Sequence, residues 1–342
     1  MEAHRAPLRY NKQVSGNLAR KARMNSLHRY ARYAARRILF PAVFAALFFV
    51  SLGAAGISPV RAADVGKTEN LYLPTALVRP FRGSDPRRLV VVCTPAGYGD
   101  PANSARRYPV VFLLHGSPGH PFNFLHYGHF PERMEDAVRA GQMQPVIFVI
   151  PDGNYVGQKN GDSEWADSAD RKDRFETWIV KELVPYMDTH YRTRAEAAGR
   201  FLGGVSEGGF GSVNLALRNP RVFGGAVGLS GYYDMRHFGW GHFIFNDSDA
   251  LMSLNSPLYY VPERTASGRI PPEWKNLHLF LGAGAAENPY ADHTRRLGDA
   301  LRAAGVRDVT VDTAKGKHDW NLWTTLFFQA ISAFLPASGT RG

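Results

Sequence analysis

The stretch FLGGVSEGGFGSVNLALR, residues 201–218, decides how this sequence is interpreted. Its first five residues are the apolar and small side chains of a buried strand, and residues 208–218 have apolar positions at helical spacing. Between them lies Gly204-Val205-Ser206-Glu207-Gly208, a G-x-S-x-G pattern that is weak alone but informative between a strand and a helix. We therefore predict a sharp turn that exposes the Ser206 hydroxyl. The alternative is an ordinary helix start that Ser206 caps.

Short apolar runs alternate with helical patterns along the rest of the chain. The predicted strands cover residues 89–94, 110–114, 146–150, 201–205, 226–229, 277–281 and 309–311. The predicted helices cover residues 131–141, 174–190, 208–218, 292–304 and 321–334. Apolar strands separated by helices predict an α/β fold with a mostly parallel central sheet and helices on both faces. The turn at Ser206 makes this an α/β-hydrolase, in a single domain over residues 63–342.

Two stretches interrupt this alternation. Residues 153–173 are polar and rich in Gly, Asp and Ser, which predicts a long loop. Residues 231–276 are rich in aromatic side chains, and we interpret them as an insertion over the C-terminal edge of the sheet. These aromatic residues either form a small core of the insertion or line a substrate site.

The first 62 residues differ in charge from the rest. They hold eleven of the 41 Lys and Arg residues and one of the 30 acidic residues, so they carry almost all of the net charge of +11. The predicted domain is therefore close to neutral, and we expect no nucleic-acid partner.

An uncharged apolar run over residues 38–57 follows Arg36-Arg37 and precedes the small residues of Val60-Arg61-Ala62. This layout predicts a secretory signal peptide, with an uncleaved N-terminal membrane anchor as the alternative. We therefore expect an exported protein that is secreted, periplasmic or associated with the cell envelope. Because a leader counted from Met1 is long, Met24 is an alternative start.

A serine hydroxyl needs a base to take its proton, and in this architecture the base follows the last strand. His318 stands after the predicted strand 309–311 and before the last helix. The alternative is a solvated loop histidine. The orienting acid should follow the preceding strand, and Glu287 is the first carboxylate after strand 277–281. Asp292 is the second candidate, and either acid could instead cap the next helix.

Two backbone N–H groups are expected to stabilise the oxyanion that forms on the substrate. One belongs to Glu207, the residue after Ser206, and the other should come from the loop that follows an early strand. Residues 110–114 lead into His115-Gly116-Ser117-Pro118-Gly119, so Ser117 is our candidate. The alternative is an ordinary strand-to-helix turn.

The sequence indicates no cofactor and no metal site. It has no P-loop, no HExxH and no paired cysteines, because Cys93 is the single cysteine and lies in an apolar run. Gly282-Ala283-Gly284 resembles the start of a dinucleotide-binding loop, but Glu287 occupies the third glycine position.

Five segments resemble the esterase family that includes mycobacterial mycolyltransferases, feruloyl esterases, enterochelin-type esterases and S-formylglutathione hydrolases. They are YPVVFLLHG (108–116), VIFVIPDGN (146–154), FETWIVKELVPYMDTHYRT (175–193), GGVSEGGFGSVNLALRNPRVFGGAVGLSG (203–231) and GKHDWNLW (316–323). The resemblance implies a Ser206–Glu287–His318 triad and an oxyanion hole formed by Ser117 and Glu207. Many members have aspartate where Glu287 stands, whereas the mycolyltransferases have glutamate. Residues 231–276 match nothing in the family.

The sequence predicts a serine carboxylesterase that hydrolyses an acyl ester through a covalent acyl-serine intermediate. Its partner would be a small-molecule, carbohydrate or lipid ester substrate, with membrane contact only through an uncleaved N-terminal segment. One alternative is an acyltransferase of the mycolyltransferase type, which moves the acyl group to a carbohydrate hydroxyl. Another is a non-catalytic binding protein on the same scaffold.

Overall fold

The structure is a computed structural model that describes residues 66–79, 87–154, 163–237 and 239–337. The strands in these residues are β1 (Lys67–Leu73), β2 (Arg88–Thr94), β3 (Val110–Leu114), β4 (Ile147–Pro151), β5 (Arg200–Val205), β6 (Gly225–Leu229), β7 (His278–Gly284) and β8 (Asp308–Ala314). They form one sheet in the order β1-β2-β4-β3-β5-β6-β7-β8. β2 pairs antiparallel with β1 and β4, and all other neighbours are parallel. The mostly parallel sheet agrees with the prediction.

Every strand predicted from an apolar run is present, and β1 is an addition. Its sequence, KTENLYL, is polar and its side chains are largely exposed, because it is the edge strand of the sheet. An edge strand with this composition lacks the apolar signal on which the strand predictions depend. Cys93 lies in β2 and is 1% exposed, as its apolar neighbours predicted.

The described residues form eight α-helices longer than one turn. They are α2 (Phe130–Arg139), α4 (Val184–His190), α5 (Glu207–Arg218), α6 (Gly239–Ile244), α7 (Asp249–Leu254), α8 (Pro257–Ala266), α9 (Tyr290–Ala303) and α10 (Trp320–Phe334), and the single turns are α1 (Asn123–His126) and α3 (Phe175–Trp178). The predicted helix 174–190 contains a π-helical turn, Ile179–Leu183, between α3 and α4. Pro185 follows it, and a proline lacks the N–H and crowds the preceding turn, which a wider turn relieves.

The side chains of each strand alternate between two hydrophobic cores. In β3, Val111 and Leu113 face the core that α1, α2 and α10 cover, whereas Val110, Phe112 and Leu114 face the core that α3, α5 and α9 cover. Burying one such side chain contributes about 1.5–3 kcal/mol. The helices therefore cover both faces of the sheet, as predicted, and leave its carboxyl edge for the loops.

Residues 231–276 leave the carboxyl end of β6 and return to the amino end of β7. Five of their aromatic side chains are buried in the core that also contains α5: Tyr232, Tyr233, Phe245, Tyr260 and Trp274. Trp274 Nε1 donates to the carbonyl of Leu217 at 2.8 Å, near the end of α5. These five side chains extend the main core along α5. They therefore form neither of the two predicted arrangements, a separate small core or the lining of a substrate site. Phe243 and Tyr259 are exposed.

The predicted leader over residues 1–62 and the alternative start at Met24 lie outside the described residues. So do residues 155–162 of the predicted loop 153–173, whose residues 163–173 form turns and one isolated bridge, between Asp167 and Arg174. In the part of the chain that the structure describes, no helix has the length and apolar character needed to cross a membrane.

Candidate active site

Ser206 occupies a strained turn between β5 and α5. Its backbone has φ 55° and ψ −116°, a conformation that costs a non-glycine residue about 1–3 kcal/mol. A Cβ on Gly208 would lie 1.9 Å from the carbonyl oxygen of Leu114, and one on Gly204 would lie 2.2 Å from that of Gly208. The turn therefore requires both glycines, as the motif predicted. In the described structure the Ser206 side chain does not cap α5, which makes the capping alternative wrong.

Glu287 and His318 meet beyond the ends of β7 and β8. The Nδ1 atom of His318 lies 2.6 Å from Oε1 of Glu287. Since a carboxylate accepts, Nδ1 carries the hydrogen and Nε2 keeps its lone pair in the neutral imidazole. Asp292, the second candidate, lies on α9, and its carboxylate accepts from Nη1 of Arg296 at 3.3 Å. The structure thus brings Glu287 to the histidine and turns Asp292 to the surface.

The second oxygen of Glu287 is also held. Its Oε2 atom accepts from the hydroxyl of Ser230 at 2.9 Å and from the backbone N–H of Gly284 at 2.5 Å. The Ser230 hydroxyl in turn accepts from the indole N–H of Trp323 at 3.0 Å. The carboxylate therefore has little rotational freedom, and its other oxygen, Oε1, stays directed at His318.

Two aromatic rings lie against the imidazole of His318. The ring centroid of Tyr290 is 4.9 Å away, and that of Trp323 is 4.8 Å away and nearly perpendicular. Burial raises the pKa of Tyr290, and the nearby charge of Glu287 raises it further, so its phenol stays neutral. The side chain of His318 is 36% exposed, so one side of the ring remains accessible from outside.

Main-chain contacts join these groups to Ser206. The N–H of Ser206 donates to the carbonyl of Leu229 at 2.8 Å, and that of Ser230 donates to the carbonyl of Gly282 at 2.7 Å. Because β5, β6, β7 and β8 are adjacent and parallel, their carboxyl ends lie side by side. Ser206, Glu287 and His318 therefore stand at one edge of the sheet. Direct contact between the Ser206 hydroxyl and His318 Nε2 stays a prediction.

The glycine-rich loop after β3, residues 115–119, lies against the serine. A Cβ on Gly116 would be 2.8 Å from the carbonyl oxygen of Val205 and 3.1 Å from Cβ of Ser206. The side chain of His115 fixes this loop, because Nε2 accepts from the N–H of Gly153 at 3.0 Å and Nδ1 lies 3.1 Å from the carbonyl oxygen of Gly116. Nδ1 therefore donates, and the N–H of Ser117 points away from that carbonyl across the planar peptide.

Asp152 supports the same loop from behind. Its Oδ1 atom lies 3.6 Å from Nε2 of His115. Burial raises the pKa of Asp152, whereas the charge of Arg88 and the backbone N–H of Asn154, which donates to Oδ1 at 3.0 Å, lower it. Asn154 donates to the carbonyl of Gly119 at 3.1 Å. Contacts with Gly153 and Asn154 thus hold the loop over residues 115–119 at both ends. The role of Ser117 in an oxyanion hole stays a prediction.

Several residues of this site are absent from the sequence analysis. Ser230 donates to Glu287, and Trp323 donates to Ser230. Trp165 donates its indole N–H to the carbonyl of His115 at 3.1 Å. The side chain of Glu207 is buried, whereas the sequence predicts a role only for its backbone N–H. The position of Glu207 within a run of glycines is the one feature of the sequence that could have indicated a role for its side chain. In the described residues, no group of three or more His, Cys, Asp or Glu side chains is arranged to hold a metal ion.

Comparison with known proteins identifies relatives. Residues 85–334 match the family described as "Putative esterase". Esterase Rv1288 of Mycobacterium tuberculosis is 30% identical over 200 residues, which are 56% of this chain and 42% of that protein. An endo-1,4-beta-xylanase/feruloyl esterase of Xylanibacter ruminicola is 27% identical over 233 residues, which are 68% of this chain and 27% of that protein. The chain spans less than half the length of these two relatives.

Solved structures show the same fold. A ferulic acid esterase is similar with a TM-score of 0.65 at 22% identity, covering 79% of this chain and 97% of that chain. An S-formylglutathione hydrolase from Agrobacterium tumefaciens has a TM-score of 0.62 at 16% identity, covering 81% and 97%. These likenesses confirm the predicted α/β-hydrolase fold, and the family match confirms the resemblance found in the sequence.

Proposed function

The chain belongs to the esterase family, and we propose that it is a serine esterase that hydrolyses carboxylic esters through an acyl-Ser206 intermediate. The observation that carries this proposal is the 2.6 Å contact between His318 Nδ1 and Glu287 Oε1, at the sheet edge that also holds the strained turn of Ser206. That contact leaves Nε2 of His318 as a base. The family match and the names of the relatives support ester hydrolysis.

In the first half of the reaction, Ser206 Oγ attacks the acyl carbonyl carbon while Nε2 of His318 takes the hydroxyl proton. The carbonyl π electrons move to oxygen, and the N–H groups of Ser117 and Glu207 stabilise the resulting oxyanion. When the oxyanion collapses, the bond to the leaving alkoxide breaks and Nε2–H donates its proton to it. An alcohol departs and the acyl group stays on Ser206.

In the second half, water takes the place of the alcohol. His318 accepts a proton from the water, whose oxygen attacks the acyl carbon, and the proton then returns to Oγ of Ser206 as the acid leaves. Glu287 keeps the imidazole in the Nδ1–H tautomer and stabilises the imidazolium formed in each half. Its anchoring by Ser230 and Gly284 supports this role, because it limits the orientations that the imidazole can adopt.

Two other functions give distinct outcomes. An acyltransferase would deliver the acyl group to a carbohydrate hydroxyl instead of water, by the same chemistry. A non-catalytic binding protein would bind an ester without turnover. The strained turn and the oriented imidazole favour an enzyme, because backbone strain of this kind persists where it serves a function.

The site of action is part of the proposal. The basic and apolar pattern of residues 1–62 supports export, so we infer that the esterase acts outside the cytoplasmic membrane on small-molecule, carbohydrate or lipid esters. Fractionation of cells that express the full chain, with mass determination of the mature N-terminus, tests this inference. A cytoplasmic protein that retains residues 1–62 would contradict it.

The main experiment is a hydrolysis screen over short-chain, long-chain, feruloyl and acetyl-sugar esters, with and without a sugar acceptor. We expect turnover of at least one class, and Ser206→Ala should lower kcat by roughly 10⁴- to 10⁶-fold. Acylated sugar as the main product would identify a transferase instead. Binding without turnover by the unmodified chain would favour the binding protein, and full activity of Ser206→Ala would exclude the mechanism.

A further inference from the structure

Three residues that precede α3 contact both sides of the proposed oxyanion hole. They are Ser163, Glu164 and Trp165, and we refer to them as the clasp. All three are buried, with 1% of each residue exposed. One side of the proposed hole is the N–H of Glu207, and the other is the N–H of Ser117. The clasp is hydrogen-bonded to Glu207 itself and to the loop that contains Ser117.

On the side of Glu207, the contact is made by its carboxylate. Glu207 is 2% exposed, and its Oε1 atom accepts from the backbone N–H of Ser163 at 3.2 Å and from that of Glu164 at 2.9 Å. Hydrogen bonds from amides to a carboxylate are stronger than those between neutral groups. The residue that follows Ser206 is thus fastened through its side chain to the clasp, while its N–H remains at the start of α5.

On the side of Ser117, the contact is made by Trp165. Its indole N–H donates to the carbonyl of His115 at 3.1 Å, and its ring lies 5.0 Å from the imidazole of the same residue. The ring has no free space, because a Cβ on Gly153 would lie 2.5 Å from it and one on Gly211 would lie 2.7 Å from Cβ or Cδ1 of Trp165. The indole therefore fixes the start of the oxyanion loop.

The backbone of the clasp is itself constrained. Glu164 and Trp165 both have φ 52°, a left-handed conformation that is uncommon for residues other than glycine. The carboxylate of Glu164 accepts from the hydroxyl of Tyr232 at 2.6 Å, and Ser163 Oγ accepts from the N–H of Trp165 at 3.1 Å. Strained residues that are over-determined by contacts tend to occur at functional sites.

We propose that the clasp sets the spacing between the N–H groups of Ser117 and Glu207, with the Glu207 carboxylate and the Trp165 indole as positioning residues. This inference rests on the proposed function, because it concerns the oxyanion of that reaction. An oxyanion hole acts only when its donors are already in place, and small displacements reduce the rate strongly. Since the two donors belong to separate segments, a third segment bonded to both can fix their distance.

The test compares two tryptophan variants. Trp165→Phe removes the indole N–H that reaches His115, and the matched control Trp274→Phe removes the one that reaches Leu217, at the opposite end of α5. Both residues are buried, so both variants should lose similar stability in thermal unfolding. We expect only Trp165→Phe to lower kcat, by about 10- to 100-fold with little change in KM.

A second readout reports the oxyanion directly. A trifluoromethyl ketone forms a tetrahedral adduct with the active serine, so its affinity depends on the hole, whereas the binding of a non-reacting ester analogue does not. Trp165→Phe should weaken the binding of the ketone by the same factor by which it lowers kcat, and it should leave the binding of the ester analogue unchanged. Glu207→Ala should do likewise, and Glu207→Gln, which keeps a side-chain oxygen acceptor, should recover most of that loss.

Equal losses of kcat in Trp165→Phe and Trp274→Phe, or an unchanged ketone affinity in both Trp165→Phe and Glu207→Ala, would overturn the clasp. If Ser206→Ala is inactive in the same assays, both of these results would leave the proposed function standing and would contradict only the role of the clasp. Full activity of Ser206→Ala would instead remove the proposed function, whatever the tryptophan variants show.

Discussion

The two sides of the candidate site are built differently. On the acid–base side, Glu287 and His318 contact each other through side chains. The hydroxyl of Ser230 donates to the carboxylate and accepts from the indole N–H of Trp323. On the oxyanion side, the expected donors are backbone N–H groups, and the residues that we propose to position them, Trp165 and Glu207, are buried. Side-chain chemistry can be recognised in a sequence, whereas the placement of a peptide group depends on contacts that no short motif encodes.

Removing the base should have the largest effect. His318→Ala leaves the Ser206 hydroxyl without a proton acceptor, and we expect kcat to fall by about 10⁴- to 10⁶-fold. Initial rates on the best ester from the screen, with circular dichroism to verify folding, would measure this loss. If a folded His318→Ala protein kept more than a tenth of the activity, another group would have to serve as the base.

Removing the charge of the acid should have the next largest effect. Glu287→Gln keeps the size of the side chain but loses the carboxylate that orients Nδ1–H, and by analogy with other triads kcat should fall by roughly 10³- to 10⁴-fold. Asp292→Asn is the matched control, because Asp292 pairs with Arg296 on the surface of α9. Comparable losses in both variants would show that the choice of Glu287 over Asp292 is mistaken.

Between the two sides, Gly208 lets α5 pack close to the end of β3. Gly208→Ala would place a Cβ 1.9 Å from the carbonyl oxygen of Leu114 and 2.7 Å from that of His115, so we expect a loss of about 3 kcal/mol in the free energy of unfolding. Gly99→Ala is the control, because its Cβ would have no neighbour within 4 Å, and we expect a change below about 0.5 kcal/mol. Urea unfolding gives both values. Similar stabilities would mean that α5 and β3 are less closely packed than the structure shows.

The smallest effect should come from the support of the acid. Ser230→Ala removes the hydroxyl that donates to Glu287 and leaves the indole N–H of Trp323 without that acceptor, so we expect kcat to fall by about 10-fold. The same steady-state assay measures it. A loss as large as that of Glu287→Gln would move Ser230 from a supporting role into the reaction itself.

Most of the acid–base side could be predicted from the sequence, because each residue follows a recognisable strand. The turn at Ser206 and the positions of Glu287 and His318 were identified from local pattern and chain order. Ser230 was not identified, because a serine at a strand end has many ordinary explanations and its φ of 48° is visible only in the structure. Trp323 has the appearance of a core residue on an amphipathic helix, and the bond from its N–H depends on the tertiary fold.

The oxyanion side and the edge of the fold were harder to predict. The loop containing Ser117 was placed correctly after β3, but the roles of His115 and Trp165 depend on contacts between segments that are distant in sequence. The strand β1 is polar, so periodicity did not reveal it. The aromatic residues of 231–276 had two possible roles because composition does not specify which surface an aromatic ring packs against.

The proposed function depends on Ser206 being a nucleophile activated by His318. Its most direct test is reaction of the native chain with a fluorophosphonate, followed by peptide mass mapping. We expect a single adduct on Ser206, formed rapidly in the native protein and at least 100-fold more slowly in His318→Ala, because the general base is lost. An adduct on another residue, or equal rates in both proteins, would contradict it.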